Sequence, residues 1–218
     1  MTDFIIYFEL LAFAGSLLAL PVLWGEPHLR VFPFLLLFTC MVEAHQEWIR
    51  FEETQYNTLI YNIHLFVETL LYLFILYLSF ARREYKTAML LFGTVFIMSM
   101  VVTSLFFYPV LEQFNAAGLC TGAVLLVIGI LLKFYDMLKS PVNYNFLHNP
   151  FFYMLFALLL FNVGSLPFFT MGNWLYYEMG QHDAFVALYQ VISILNYILY
   201  GTYTVCFLWM RKTKLSYS

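Results

Sequence analysis

Between Glu43 and Glu68 the chain gathers Glu43, His45, Glu47, Arg50, Glu52, Glu53, His64 and Glu68 within a sequence that is otherwise strongly apolar. His64 and Glu68 are four residues apart, so on a helix they stack on one face, with Asn57, Tyr61 and Tyr72 continuing the stripe. Apolar runs long enough to cross a bilayer flank this stretch. At 1.5 Å per residue, His64 falls about 10 Å below the start of its span and Glu68 about 16 Å below. Glu68 then lies near the middle of a hydrocarbon core roughly 30 Å thick. An ionisable group at such depth costs roughly 2.5–3.5 kcal/mol on insertion scales and usually faces a bundle interior, a partner or a water-filled cavity. The pair is therefore a candidate for ligand, proton or metal binding, set against a purely structural hydrogen bond between neighbouring helices.

Metal chemistry has its own candidates. His45, His64 and His182 each have a carboxylate nearby in sequence, and imidazole with carboxylate suits zinc or another divalent first-row ion. A zinc site built from His45, His64, Glu68 and His182 would need three helices to converge, since no HxxxH or HExxH pair sets a local geometry. The alternative is that each histidine bonds a carboxylate or carbonyl on a neighbouring helix and serves packing. Glu43 and Glu47, four apart and followed by Arg50, also read as a self-neutralising cluster at a membrane rim.

The elements that must position these groups are membrane helices. Of the 218 residues, 63% are apolar, 21% aromatic and only 11% charged, against about 25% charged in soluble proteins. At about 20 residues per crossing, seven spans are expected near 3–24, 30–49, 58–80, 86–109, 113–138, 150–172 and 184–210. Residues 1–218 thus form one all-α domain, a seven-helix bundle in the bilayer. The first run lacks a basic leader or a small-residue cleavage site, so it is expected to be the first span.

Orientation follows from the basic residues. With the N-terminus outside, Arg30, Arg82, Arg83, Lys86, Lys133, Lys139, Arg211, Lys212 and Lys214 all fall inside, nine of the ten Lys and Arg, and only Arg50 stays outside. The acids show the opposite bias, with Asp3, Glu9, Glu43, Glu68, Glu112, Glu178 and Asp183 among those in the outer half. Cys40, Cys120 and Cys206 sit in apolar runs without ligand spacing and read as small core residues. No basic arm is present for nucleic acid.

Other spacings predict packing. Ala12, Gly15 and Ala19, and Gly118, Gly122 and Gly129, recur at helical intervals that let backbones approach closely. Pro109 and Pro167 are expected to kink or end their helices toward the outer rim, where a cavity can open, with Asn162 and Ser165 facing it. In the last span Tyr189, Ser193, Asn196, Tyr200 and Tyr203 form a second polar-aromatic stripe. The ligand pocket expected from these stripes comprises Tyr61, His64, Glu68, Tyr72, Asn162, Tyr189, Ser193 and Asn196.

The outline of seven spans is shared with opsins and G-protein-coupled receptors. The last span, however, has no lysine between Ala184 and Met210, so no retinal Schiff base forms there, and the receptors' switch motifs are absent. The run Asn62-Ile63-His64 followed by Val67-Glu68, together with Asn149-Pro150-Phe151-Phe152-Tyr153 leading to Phe161-Asn162, resembles small seven-span membrane proteins of Bacteroidota. Similar segments precede histidine kinase modules in longer chains. That resemblance implies a sensor-like role with a cytoplasmic or membrane signalling partner, although this chain ends at Ser218 without a kinase. The expected function is an inner-membrane sensor or receptor-like binding module. Its rivals are a zinc-dependent intramembrane hydrolase, for which the paired-histidine pattern of ceramidase-like enzymes is missing, and a proton-coupled transporter using Glu68.

Overall fold

Long apolar stretches dictate helices, because in hydrocarbon each backbone N–H and C=O must be satisfied within its own segment. The computed structural model describes residues 4–49, 56–107, 114–139, 148–175 and 179–217, and these form eight α-helices and no strand. They are α1 (Ile5–Leu18), α2 (Leu20–Leu23), α3 (Phe32–Ile49), α4 (Tyr56–Ser79), α5 (Arg83–Phe106), α6 (Ala116–Leu138), α7 (Pro150–Asn173) and α8 (His182–Tyr217). Five of them, α4 to α8, are long and apolar enough to cross a membrane, which makes this a multi-pass helical membrane protein. Arg50, Glu52, Glu53, Pro109, Glu112 and Glu178 lie outside the described residues, as do the side chains of Glu47, Asn57 and Lys214.

The helices pack in a closed ring: α1 against α3, α3 against α4, then α5, α6, α7 and α8 in turn, with α8 returning to α1. A contact of α4 with α6 crosses behind α5, which leaves α5 as the outermost member. Its Leu90, Leu91, Met98, Val101 and Leu105 face outward, an apolar surface suited to lipid rather than water. Inside the ring, Leu35, Leu36, Ile75, Leu76, Tyr203 and Phe207 are fully or almost fully buried.

One expected element is different. The first apolar run does not form a single helix over 3–24 but breaks at Ala19, between α1 and α2. Pro21 is the cause, since it has no N–H to offer the carbonyl one turn back and its ring clashes there; Ala19 closes α1 by donating to Gly15 O at 3.0 Å. Pro167, by contrast, is carried inside α7, which continues to Asn173. Thr170 Oγ1 there donates to Leu166 O at 2.9 Å.

The small residues act as their spacing predicts. Ala12 and Ala19 are fully buried, and a Cβ on Gly15 would meet Phe207 and the Thr204 backbone of α8 at 3.7 Å. Gly118, Gly122 and Gly129 bring α6 against α4 and α5, where a Cβ would collide with Met100, Phe96 and Leu76 respectively.

Two polar clusters hold the ring together, and both involve residues that spacing alone does not single out. Asn115, fully buried, caps α6 by accepting from Gly118 N at 3.0 Å, while its Nδ2 donates to Met100 O at 3.2 Å and Ser104 Oγ at 2.8 Å. Its own N–H donates to Oδ1 of Asn62 on α4 at 3.0 Å, so one residue ties three helices. Asn115→Ala removes a cap and leaves buried groups unpaired, and should lower stability by about 2–4 kcal/mol. Unfolding in mixed micelles measures this; a variant as stable as the parent would show that the cluster is replaceable.

The second cluster lies at the opposite end from the N-terminus. Lys133 Nζ donates to Ser79 O, the last carbonyl of α4, at 2.6 Å and lies 5.0 Å over the Phe80 ring. Asp136 bridges Lys133 at 3.5 Å and Arg82 at 3.8 Å. A cation at a helix C-terminus is favoured by the exposed carbonyls and the macrodipole.

In the connector before α3, His28 packs its ring 4.5 Å from that of Phe151. Burial, and then the Lys133 charge, lowers its pKa from 6.5 to about 4. Glu26 lies 3.9 Å away but is 61% exposed, so it offsets little. The unfolded chain therefore binds a proton at His28 that the folded chain refuses between about pH 6.5 and 4. Stability contributed by His28 is present above pH 6.5 and falls as pH drops toward 4. Comparing unfolding of the parent and His28→Phe from pH 4 to 7 should show a gap that narrows or reverses with acid; parallel curves would refute it.

Candidate functional site

Six of the expected pocket residues line one cavity. It has a volume of about 440 Å³ and sits at the end of the bundle where α1 begins. Helix α4 contributes Tyr61, His64, Leu65 and Glu68 from a single face, α8 contributes Phe185, Tyr189, Ile192, Ser193, Asn196 and Tyr200, and α7 contributes Phe161, Phe168 and Phe169. Helix α1 adds Ile5, Ile6 and Glu9, α3 adds Glu43, and Phe114 closes the wall from the segment before α6. Tyr189 lines the cavity while remaining 40% exposed, so the space reaches the protein surface along α8.

The local reason for each placement is helical phase. On α4, Tyr61, His64, Glu68 and Tyr72 turn inward while Ile63 and Phe74, on the other side, are about half exposed. On α8, Ser193 and Asn196 alternate with the exposed Ile194 and Ile198. Ser193 Oγ donates to Tyr189 O one turn back at 3.1 Å.

Tyr72 and Asn162 are inward but do not line the large cavity. They border a second space of about 30 Å³ that Glu68 also lines, large enough for a water molecule. Asn162 Nδ2 donates to Leu158 O of its own helix at 2.8 Å, and Ser165 Oγ donates to Asn162 O at 3.1 Å. Below Glu68 the Tyr203 hydroxyl donates to that of Tyr72 at 3.2 Å, closing the floor with a buried pair of phenols.

Glu9 and Glu43 are the members that spacing did not bring forward as pocket residues. A signal for Glu9 was present: it shares its face of α1 with Ala12, Ser16 and Ala19, all of them buried. Glu43 likewise continues the inward face of Leu36, Thr39 and Cys40 on α3. Glu9, Glu43 and Glu68 are near enough to act on one another electrostatically. Among the described residues, no Lys or Arg lines the cavity.

Among the described residues, two buried polar atoms have no hydrogen-bond partner: Oε2 of Glu9, in a residue 2% exposed, and Nε2 of His64, in a residue 5% exposed. An unmade hydrogen bond at a buried polar atom costs about 1–3 kcal/mol, and persistent instances ask for an explanation such as a bound water or ligand. His64 rests on Phe38, ring centres 5.6 Å apart, and lines the cavity.

No family model, no curated protein and no solved structure matches this chain.

The expected zinc set is not assembled. His45 and His182 are exposed and line no part of the cavity, whereas His64 and Glu68 are buried on α4. Among the described residues no three His, Cys, Asp or Glu side chains converge as metal ligands. The physical reason is phase: His45 stands two residues from Glu43, so when Glu43 turns inward His45 turns away.

Proposed function

We propose that the protein is a receptor-like binding module of a bacterial inner membrane, with seven crossings, the N-terminus outside and the basic end inside. It takes a small molecule into the cavity and passes the change to a partner at the cytoplasmic side. The cavity carries this reading. Its 440 Å³ falls within the roughly 300–1,000 Å³ of small-molecule sites, and a mostly apolar wall with a few convergent polar groups is what such sites share. Two further points support the direction of signalling. The cavity lies at the end away from Arg82, Lys133 and Arg211, as the positive-inside rule requires of an outward-opening pocket. Helix α8 lines the cavity with its first half and runs 36 residues without a break, about 54 Å against a core of roughly 30 Å. A rod of that length links the cavity to the inner surface directly.

Transport coupled to protons is the second reading, favoured by the buried carboxylates Glu9 and Glu68. Thermal unfolding of the purified protein with small aromatic amphiphiles of each charge type tests the shared core of both. At least one compound should raise the unfolding temperature of the parent, and Ser193→Phe, which fills the cavity, should abolish the rise. Complete indifference of the parent would sink both readings. Uptake into vesicles under a pH gradient separates them, since a receptor leaves the vesicle interior unloaded.

A further inference from the structure

We propose that the cavity binds a small protonated primary or secondary amine with an apolar body, its N–H groups donating to Glu9 and His64. This deepens the binding reading above and rests on it. Three observations carry the ligand class.

The first is charge. Glu9, Glu43 and Glu68 line the space and, among the described residues, no Lys or Arg does, so an anion is repelled and a cation supplies the missing counter-charge. The second is the pair of unpartnered atoms. Oε2 of Glu9 accepts only unless protonated, and Nε2 of His64 accepts in the Nδ1–H tautomer. Both residues also line the cavity, so a ligand offering N–H donors suits the carboxylate and the imidazole there, whereas a hydrocarbon tail offers them nothing. A quaternary ammonium brings the charge but no N–H. The third is the wall. Phe161, Phe168, Phe169 and Phe185 line the same space, and aromatic faces attract ammonium groups while accommodating an apolar body. Phe168 sits between Phe169 and Phe185, with ring centres 6.0 and 5.6 Å away, which makes a continuous surface between α7 and α8.

Size sets the rest. A bare inorganic cation would leave most of the 440 Å³ unfilled, and the described donors do not converge around one. An amine with a ring or short chain fills it.

The experiment uses the full chain in detergent micelles and calorimetry with matched probes: 2-phenylethylamine, its trimethylammonium analogue, 2-phenylethanol and 3-phenylpropanoate. The amine should bind at least tenfold tighter than the alcohol and tighter than the quaternary analogue, and the carboxylate should not bind. Glu9→Gln should weaken the amine at least tenfold and leave the alcohol unchanged. Equal binding of amine and alcohol would overturn the amine assignment while small-molecule binding survives. Unchanged amine affinity in Glu9→Gln would do the same. Binding by none of the probes would overturn both. Should Glu9→Gln fail to fold, the amine-to-alcohol ratio in the parent alone decides the question.

Discussion

Gly122→Leu should destabilise the bundle by about 3 kcal/mol, the upper end of the usual range for overpacking a core. A Cβ at this position would stand 2.6 Å from Cε2 and 3.0 Å from Cδ2 of Phe96 on α5, and 3.1 Å from Cγ2 of Thr69 on α4. Two helices are therefore pushed at once. Phe96 cannot step aside, because it is fully buried and stacks on Phe66 with ring centres 5.6 Å apart. Gly93 provides the control within the same pair of helices: nothing lies within 4 Å of its added Cβ, so Gly93→Leu should be neutral or slightly stabilising through helix propensity. Unfolding in mixed micelles reads both. A double-mutant cycle with Phe96→Leu should recover part of the Gly122→Leu cost. If Gly122→Leu unfolded at the parent's midpoint, the close approach of α6 to α4 and α5 would be wrong.

The opposite sign is expected at Glu9. Replacing it with methionine, of similar length and without the orphaned oxygen, should raise stability by about 1–3 kcal/mol. Ordinary core positions lose stability on substitution; a gain marks a group kept for another purpose, since functional sites are commonly not optimised for stability. The unpartnered Oε2 and the neighbouring carboxylates Glu43 and Glu68 are the reason for the sign. Glu9→Met should also lose binding of the amine probe, so stability and affinity move in opposite directions. A less stable Glu9→Met would mean that Glu9 holds the fold through a partner, and the cavity would lose its strongest claim to a ligand.

Gly122 is a position where reading along the chain succeeds, and Glu9 one where it does not. Composition and run length by themselves determine a helical membrane bundle, because a bilayer admits few other structures. The expected spans over 58–80 and 150–172 differ from α4 and α7 by only a residue or two. The close approaches at Gly15 and Gly122 were legible too, since side-chain periodicity on a helix is set by covalent geometry. The same periodicity placed Tyr61, His64 and Glu68 on one face, and Tyr189, Ser193 and Asn196 on another.

Periodicity says nothing about which faces meet. That depends on the order of helices around the ring and their rotation, which arise from packing between residues far apart in sequence. Tertiary structure alone decided that α1 lies between α3 and α8, and so that Glu9 and Glu43 join Glu68 around one space. It also decided that His45 and His182 stay outside it, dissolving the expected zinc set, and that Asn162 donates to its own helix beside the cavity. The Asn62–Asn115 link, which joins α4 to the start of α6, was likewise invisible, because a hydrogen bond across 53 residues of sequence leaves no local spacing to read.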